Sequence, residues 1–159
     1  TLAAAAAGYC VTHVDASKPS VDWARRNQIA SGLENTPIRW IVDDALKFAK
    51  REVRRGVKYD AIVLDPPAVG RGPKGELWKL DKMLPELLEA CAALGSNSPM
   101  FVLMTLYSID ASPIMAANML EEYFGKTRGG NTEAGELALR PLSGYALPLS
   151  LWAKTVFAK

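Results

Sequence analysis

Tyr59-Asp60-Ala61-Ile62-Val63-Leu64-Asp65-Pro66-Pro67 is the stretch on which the reading of this chain turns. Its apolar middle has no helical spacing and is rich in β-branched residues, which predicts a buried strand. The two prolines bring no backbone N–H and restrict Asp65 before them, so the chain must leave the sheet in a rigid, extended form. Carbonyl oxygens then stand beside a carboxylate at the strand end. Such an edge can hold a planar base or an amine; the plainer alternative is a strand stop with a turn aspartate.

Upstream the same design recurs twice. Tyr9-Cys10-Val11-Thr12-His13-Val14 runs into Asp15-Ala16-Ser17, and Ile38-Arg39-Trp40-Ile41-Val42 into Asp43-Asp44. Between these two strands, Ser17 as N-cap and Pro19 in the first turn open a helix carrying Val21, Ala24, Ile29 and Leu33, broken near Gly32. A second helix, Ala45 to Arg55, sets Leu46, Ala49 and Val53 opposite Lys47, Lys50, Arg51, Arg54 and Arg55, and Gly56 closes it. Strand, helix and strand in alternation predict an α/β, doubly wound, mostly parallel sheet. Ligands of such sheets bind outside the carboxyl ends of the strands, so Asp15, Asp44 and Asp65 are expected to line one crevice.

Downstream, Ala68 to Gly75 holds three glycines and two cations, Arg71 and Lys74, and is expected to be a mobile loop over that crevice. The cations would meet phosphate there or remain solvated. Leu80 to Leu94 reads as an amphipathic helix, Pro99 to Leu106 as a fourth strand and Pro113 to Phe124 as a helix. After a turn at Gly129-Gly130, the segments Glu136 to Arg140 and Leu151 to Phe157, joined by the loop Gly144 to Pro148, suggest an antiparallel ending. At the other end, Thr1-Leu2 and five alanines run into Gly8, which reads as the close of a helix with a glycine stop. The expectation is therefore a single domain over 1–159, truncated at its N-terminus.

Composition sets the outer bounds. With 159 residues, 49% hydrophobic and 23% charged, the chain can bury a sizeable core and is neither fibrous nor disordered. A net charge of +2 is too balanced to argue for a nucleic-acid partner. The basic cluster from Lys47 to Lys58 would either meet RNA or form a solvated face. Cys10 and Cys91 have no CxxC spacing and the single histidine is His13, so neither a metal site nor a disulfide framework is expected, and the default compartment is the reducing cytoplasm. Both cysteines are read as small buried residues and His13 as a structural one. The apolar run Leu2 to Ala7 is far shorter than the roughly 20 residues of a membrane span. A hydrolase triad cannot be assembled with the one histidine inside a strand.

For the candidate residues, chemistry narrows the choice without closing it. A carboxylate at Asp15 accepts from two vicinal hydroxyls at once, which suits the ribose of a nucleoside-containing cofactor; otherwise it is the first residue of a turn capping the next helix. Asp44, with Asp43 competing, could accept from an adenine amine or could be the N-cap of the Ala45 helix.

The set Val14-Asp15-Ala16-Ser17, Asn27 in the following helix, Asp43-Asp44-Ala45-Leu46-Lys47-Phe48 and Tyr59 to Ala68 resembles the class I S-adenosylmethionine-dependent methyltransferases. Within them it resembles the bacterial group that modifies large-subunit ribosomal RNA at cytosine C5 or guanine N7. The resemblance implies a Rossmann-like fold and S-adenosyl-L-methionine as cofactor. Asp15, Ala16, Ser17, Asp44, Ala45 and Asp65 would then be cofactor-binding, with Asp15 on the ribose, Asp44 on the adenine amine and Ala45 against its ring. Asp65, Pro66 and Pro67 would border the methionine end and the acceptor. RNA would be the substrate, with no metal and no membrane; the oligomeric state is left open. The family's first strand and glycine-rich loop lie outside this sequence. Ala68 stands where amino-group methyltransferases carry an aromatic residue. Thr105-Leu106-Tyr107-Ser108 stands where cytosine-C5 enzymes carry a cysteine nucleophile, which argues against a covalent cytosine adduct. The other class of reading is a catalytically inactive nucleotide- or RNA-binding module of the same fold.

Overall fold

The structure, a computed structural model, describes residues 1–107, 110–126 and 129–157; Ser108 therefore lies outside the described residues. The chain divides into two compact units, Thr1–Phe48 with Arg71–Leu77 and Ala49–Gly70 with Trp78–Lys159.

In the first unit a short helix, α1 (Leu2–Ala6), ends two residues before Gly8, whose φ of +88° takes the left-handed turn that ends it. Strand β1 (Val11–Asp15) follows, then α2 (Lys18–Ala30) and β2 (Ile38–Val42). β1 and β2 pair in parallel, with Val11 opposite Ile38 and Asp15 opposite Val42, so both strands end at the same rim. The α2 start was legible: Ser17 is the N-cap, its side chain accepts from the Ser20 N–H at 3.3 Å, and proline sits in the first turn. His13 is structural, as expected. Its ring centroid is 4.9 Å from that of Trp40, its Nδ1 shares a 2.8 Å hydrogen bond with the Thr1 hydroxyl, and burial holds its pKa below the ordinary value.

The second unit is built on a four-stranded sheet. β3 (Ala61–Leu64) pairs in parallel with β6 (Phe101–Leu106); β8 (Leu147–Phe157) runs antiparallel to β6, and β7 (Gly130–Leu139) antiparallel to β8. The sheet order is β3-β6-β8-β7. The α/β architecture, the parallel pairs and the antiparallel ending are thus as predicted, while the hydrogen bonding falls into separate sheets, one in each unit, beside a small hairpin. Alternation along β6 buries Val102, Met104 and Leu106, and α4 (Leu80–Leu94) buries Leu84, Leu87, Leu88, Cys91 and Leu94. Helix α5 (Pro113–Leu120), capped by Ser112, runs into a π-helical turn (Glu121–Gly125) that the sequence did not signal. There Glu121 accepts a 2.7 Å hydrogen bond from Thr132 of β7, whose hydroxyl meets that of the fully buried Thr155 at 2.9 Å.

Two expectations are corrected. Ala68 to Gly75 is not an irregular loop: β4 (Val69–Arg71) pairs with β5 (Leu77–Lys79) as a hairpin. Its turn closes through Gly72 N–H to the Glu76 carbonyl at 2.7 Å, and Gly75 supplies a φ of +84°. Cys10, expected to be buried, is exposed, because it sits one residue before β1 begins. Cys91 is buried as expected, and burial pushes its thiol up to about 12. The folded protein should therefore react with one equivalent of a maleimide at pH 7.5 and with two only after denaturation; two fast equivalents in the folded state would contradict this packing.

Candidate functional site

The strand ends of the first unit gather three carboxylates. Asp15 terminates β1, and its Oδ1 accepts a 2.6 Å hydrogen bond from the Ser17 N–H, forming a tight turn into α2. The Asp43 N–H donates to the Asp15 carbonyl at 3.2 Å, locking the two strand exits together. The Asp43 carboxylate in turn accepts from the Asp44 N–H at 2.9 Å. Asp44, only 7% exposed, caps α3 (Ala45–Arg54): Lys47 N–H donates to its Oδ1 at 2.8 Å and Phe48 N–H to its carbonyl at 2.9 Å. The turn and cap alternatives weighed for Asp15 and Asp44 are therefore real, and they fix the orientation of both carboxylates. Ala16 is half-buried, and Ser17 and Ala45 are exposed beside these acids.

In the second unit Asp65 follows β3 directly and is exposed at the strand end. Thr105 of β6 donates its hydroxyl to Asp65 Oδ1 and lies 3.4 Å from the Leu64 carbonyl. Sequence reasoning missed Thr105 as a partner, since only the parallel pairing of β3 and β6 brings residues so distant in the chain together. Pro66 is buried and Pro67 exposed. The Pro67 carbonyl accepts from the buried Trp78 indole at 2.7 Å, and the Ala68 carbonyl from the Leu80 N–H at 3.0 Å. Those bonds hold the segment as it leaves the strand and leave the Pro66 carbonyl as the acceptor beside Asp65.

The cations are more committed than their number suggests. Lys47 pairs with Glu76 at the hairpin turn, and this contact, with the Glu76 and Lys74 N–H groups, holds the Glu76 carboxyl at about 2. Lys50 pairs with Glu86, Arg55 with the buried Glu52 at 3.0 Å, and Lys58 donates to the Ala93 carbonyl at 2.7 Å. Lys47, Lys50 and Arg55 of the Lys47 to Lys58 cluster are thus paired with carboxylates of the chain, whereas Arg71 and Lys74 are exposed on the hairpin. Among the described residues no group of three or more His, Cys, Asp or Glu side chains could hold a metal ion, and no helix is long and apolar enough to cross a membrane.

Comparison with solved structures finds a S-adenosylmethionine-dependent methyltransferase from Agrobacterium tumefaciens with a TM-score of 0.92 and 44% identity, aligned over 98% of this chain and 51% of that one. A Streptococcus mutans protein described as a putative methyltransferase of the same kind superposes with a TM-score of 0.72 at 20% identity over 98% of this chain and 41% of its own, which speaks to the fold. Among curated proteins, ribosomal RNA large subunit methyltransferase I of Klebsiella pneumoniae is 39% identical over 57 residues, 36% of this chain and 14% of that protein. No protein-family model matches the chain. The chain spans about half the length of the Agrobacterium protein and 14% of the curated relative. Its fold is the Rossmann-like one of these neighbours.

Proposed function

We propose that this chain, which resembles the S-adenosylmethionine-dependent methyltransferases in fold and in sequence, is a single methyltransferase domain that methylates a base of ribosomal RNA in the cytoplasm. The observation that carries the reading is the pair of fixed carboxylates, Asp15 and Asp44, at the carboxyl ends of adjacent parallel strands. The donor set fits a nucleoside. A carboxylate has about four acceptor positions, and Asp15 uses one oxygen on Ser17, which leaves acceptors for the two hydroxyls of a ribose. Asp44, held by the first turn of α3, receives the adenine amine, and the exposed Ala45 offers a flat apolar contact to the base. Ala16 and Ser17 complete the turn around the ribose.

S-adenosylmethionine, when bound, supplies an already activated methyl group, so the protein's part is holding and alignment. Asp65, kept in place by Thr105, and the rigid Pro66 and Pro67 orient the acceptor base through the Asp65 carboxylate and the Pro66 carbonyl. Arg71 and Lys74 meet backbone phosphates of the RNA.

The test is transfer of tritiated methyl to ribosomal RNA purified from a strain lacking the enzyme. The wild-type protein should label RNA. Asp65→Asn, which keeps an acceptor for Thr105, should bind RNA nearly as well while lowering the single-turnover rate by about a hundredfold, the cost of a misplaced reacting group. Full activity in this variant would remove Asp65 from the acceptor site, label on protein or small molecules alone would remove RNA, and no transfer at all would favour the inactive binding module.

A further inference from the structure

Arg71 and Lys74, the two cations of the β4–β5 hairpin turn, are exposed and have no ion-pair partner among the described residues. The acid nearest them in the chain, Glu76, is engaged elsewhere. Its Oε1 takes the Lys47 ammonium, its Oε2 accepts from the Lys74 N–H at 2.9 Å, and its backbone carbonyl closes the turn on the Gly72 N–H. A side chain at Gly72 would place a Cβ 2.4 Å from Glu76 Oε2, so glycine there is what lets the carboxylate fold back over the turn. Lys47 stands in the first turn of α3, where its own N–H donates to Asp44 Oδ1. Glu76 is therefore bound at both oxygens, by the helix start at one and by the hairpin turn at the other. The segment Arg71–Leu77 accordingly belongs to the same compact unit as Thr1–Phe48.

We propose that the Lys47–Glu76 pair is a latch that holds the hairpin turn to the first turn of α3 and so fixes Arg71 and Lys74 as a preset pair of phosphate contacts; the inference rests on the RNA reading above. In this role Glu76 is a positioning residue and touches no RNA itself. The direction of its effect distinguishes it from an ordinary surface acid. A carboxylate that merely stands beside two cations repels a polyanion, and neutralising it strengthens binding. A carboxylate that holds those cations in place does the opposite, because a freed turn must be ordered again on every encounter. Glu76→Gln sets the two effects against each other: the amide keeps an oxygen for the Lys74 N–H and loses the charge that binds Lys47. The Lys47 side chain is 57% exposed and that of Glu76 23%, so the pair is partly screened and the expected change is modest.

Filter binding of the purified protein to ribosomal RNA from the strain lacking the enzyme tests it at low salt. Glu76→Gln and Lys47→Met should each raise the Kd for RNA about twofold to fivefold, the reach of one exposed ion pair. The single-turnover rate of Glu76→Gln at saturating RNA, and its affinity for S-adenosylmethionine, should stay at the wild-type values. The double variant should lose no more than either single one, because the two side chains act as one contact, whereas a direct contact of Lys47 with RNA would add its own loss. Trypsin reports the latch without RNA: the Arg71–Gly72 and Lys74–Gly75 bonds should be nicked faster in both single variants, as read by mass spectrometry. Tighter or unchanged RNA binding by Glu76→Gln, additive losses in the double variant, or unchanged nicking would overturn the proposal. If RNA binding is retained by the wild type and indifferent to both substitutions, the RNA reading stands and the latch alone is removed; if the wild type binds S-adenosylmethionine and no RNA, the RNA reading has failed and the latch falls with it.

Discussion

Asp15→Ala should weaken binding of S-adenosylmethionine by about 1.5–3 kcal/mol, the range for losing hydrogen bonds to a charged acceptor. Calorimetry on the purified protein measures this directly. The side chain has two tasks, since its Oδ1 also accepts from the Ser17 N–H, and Asp15→Asn separates them. Asparagine keeps one carbonyl oxygen for Ser17 and replaces the other by a donor, so the turn into α2 should persist while ribose affinity falls. If affinity is unchanged in both variants the ribose assignment is lost. If it falls in Ala and is untouched in Asn, Asp15 serves only the turn.

The largest effect on stability is expected in the second unit. Leu88, on the inner face of α4, is fully buried. Truncation to Ala removes its transfer free energy and leaves a cavity, together costing about 2–5 kcal/mol. In urea the midpoint should fall with little change of slope, because the area exposed on unfolding hardly alters. Leu142→Ala, at a position 111% exposed in the loop between β7 and β8, is the control and should leave the midpoint where it is. Equal effects at both positions would mean that the α4 face is not the core.

What could be read from the residues alone, and what could not, follows from the range of the interactions. The junctions at Asp15 and Asp44 were legible because a β-branched run, an acid and a helix start are all local signals, and that at Asp65 because an apolar run, an acid and two prolines are. The same locality located Ser17 as a cap and Leu80 to Leu94 as a helix to the residue. The β4–β5 hairpin was missed because three-residue strands among glycines and a proline carry no period. β7 begins at Gly130, six residues earlier than its strand-like composition, because pairing with β8 and the packing of Gly130 against Thr155 and Phe157 outweigh the weak propensity of glycine. The partners of the candidate residues were invisible for a related reason. Glu76 lies 29 positions from Lys47, and Thr105 lies 40 from Asp65. Only the folded chain brings them together.

The bond from the Trp78 indole to the Pro67 carbonyl also makes the Asp-Pro-Pro segment optically addressable. Trp78 is 8% exposed and its ring N–H is spent on that carbonyl, whereas Trp23 is 63% exposed and already emits from water. Loosening of the segment would wet the Trp78 ring and move its emission to the red, while anything that tightens the segment would leave it blue. A variant keeping Trp78 as its sole indole would carry a built-in fluorophore two residues of backbone away from Asp65 through a single hydrogen bond, and the state of the strand exit could be followed on a stopped-flow timescale without any label.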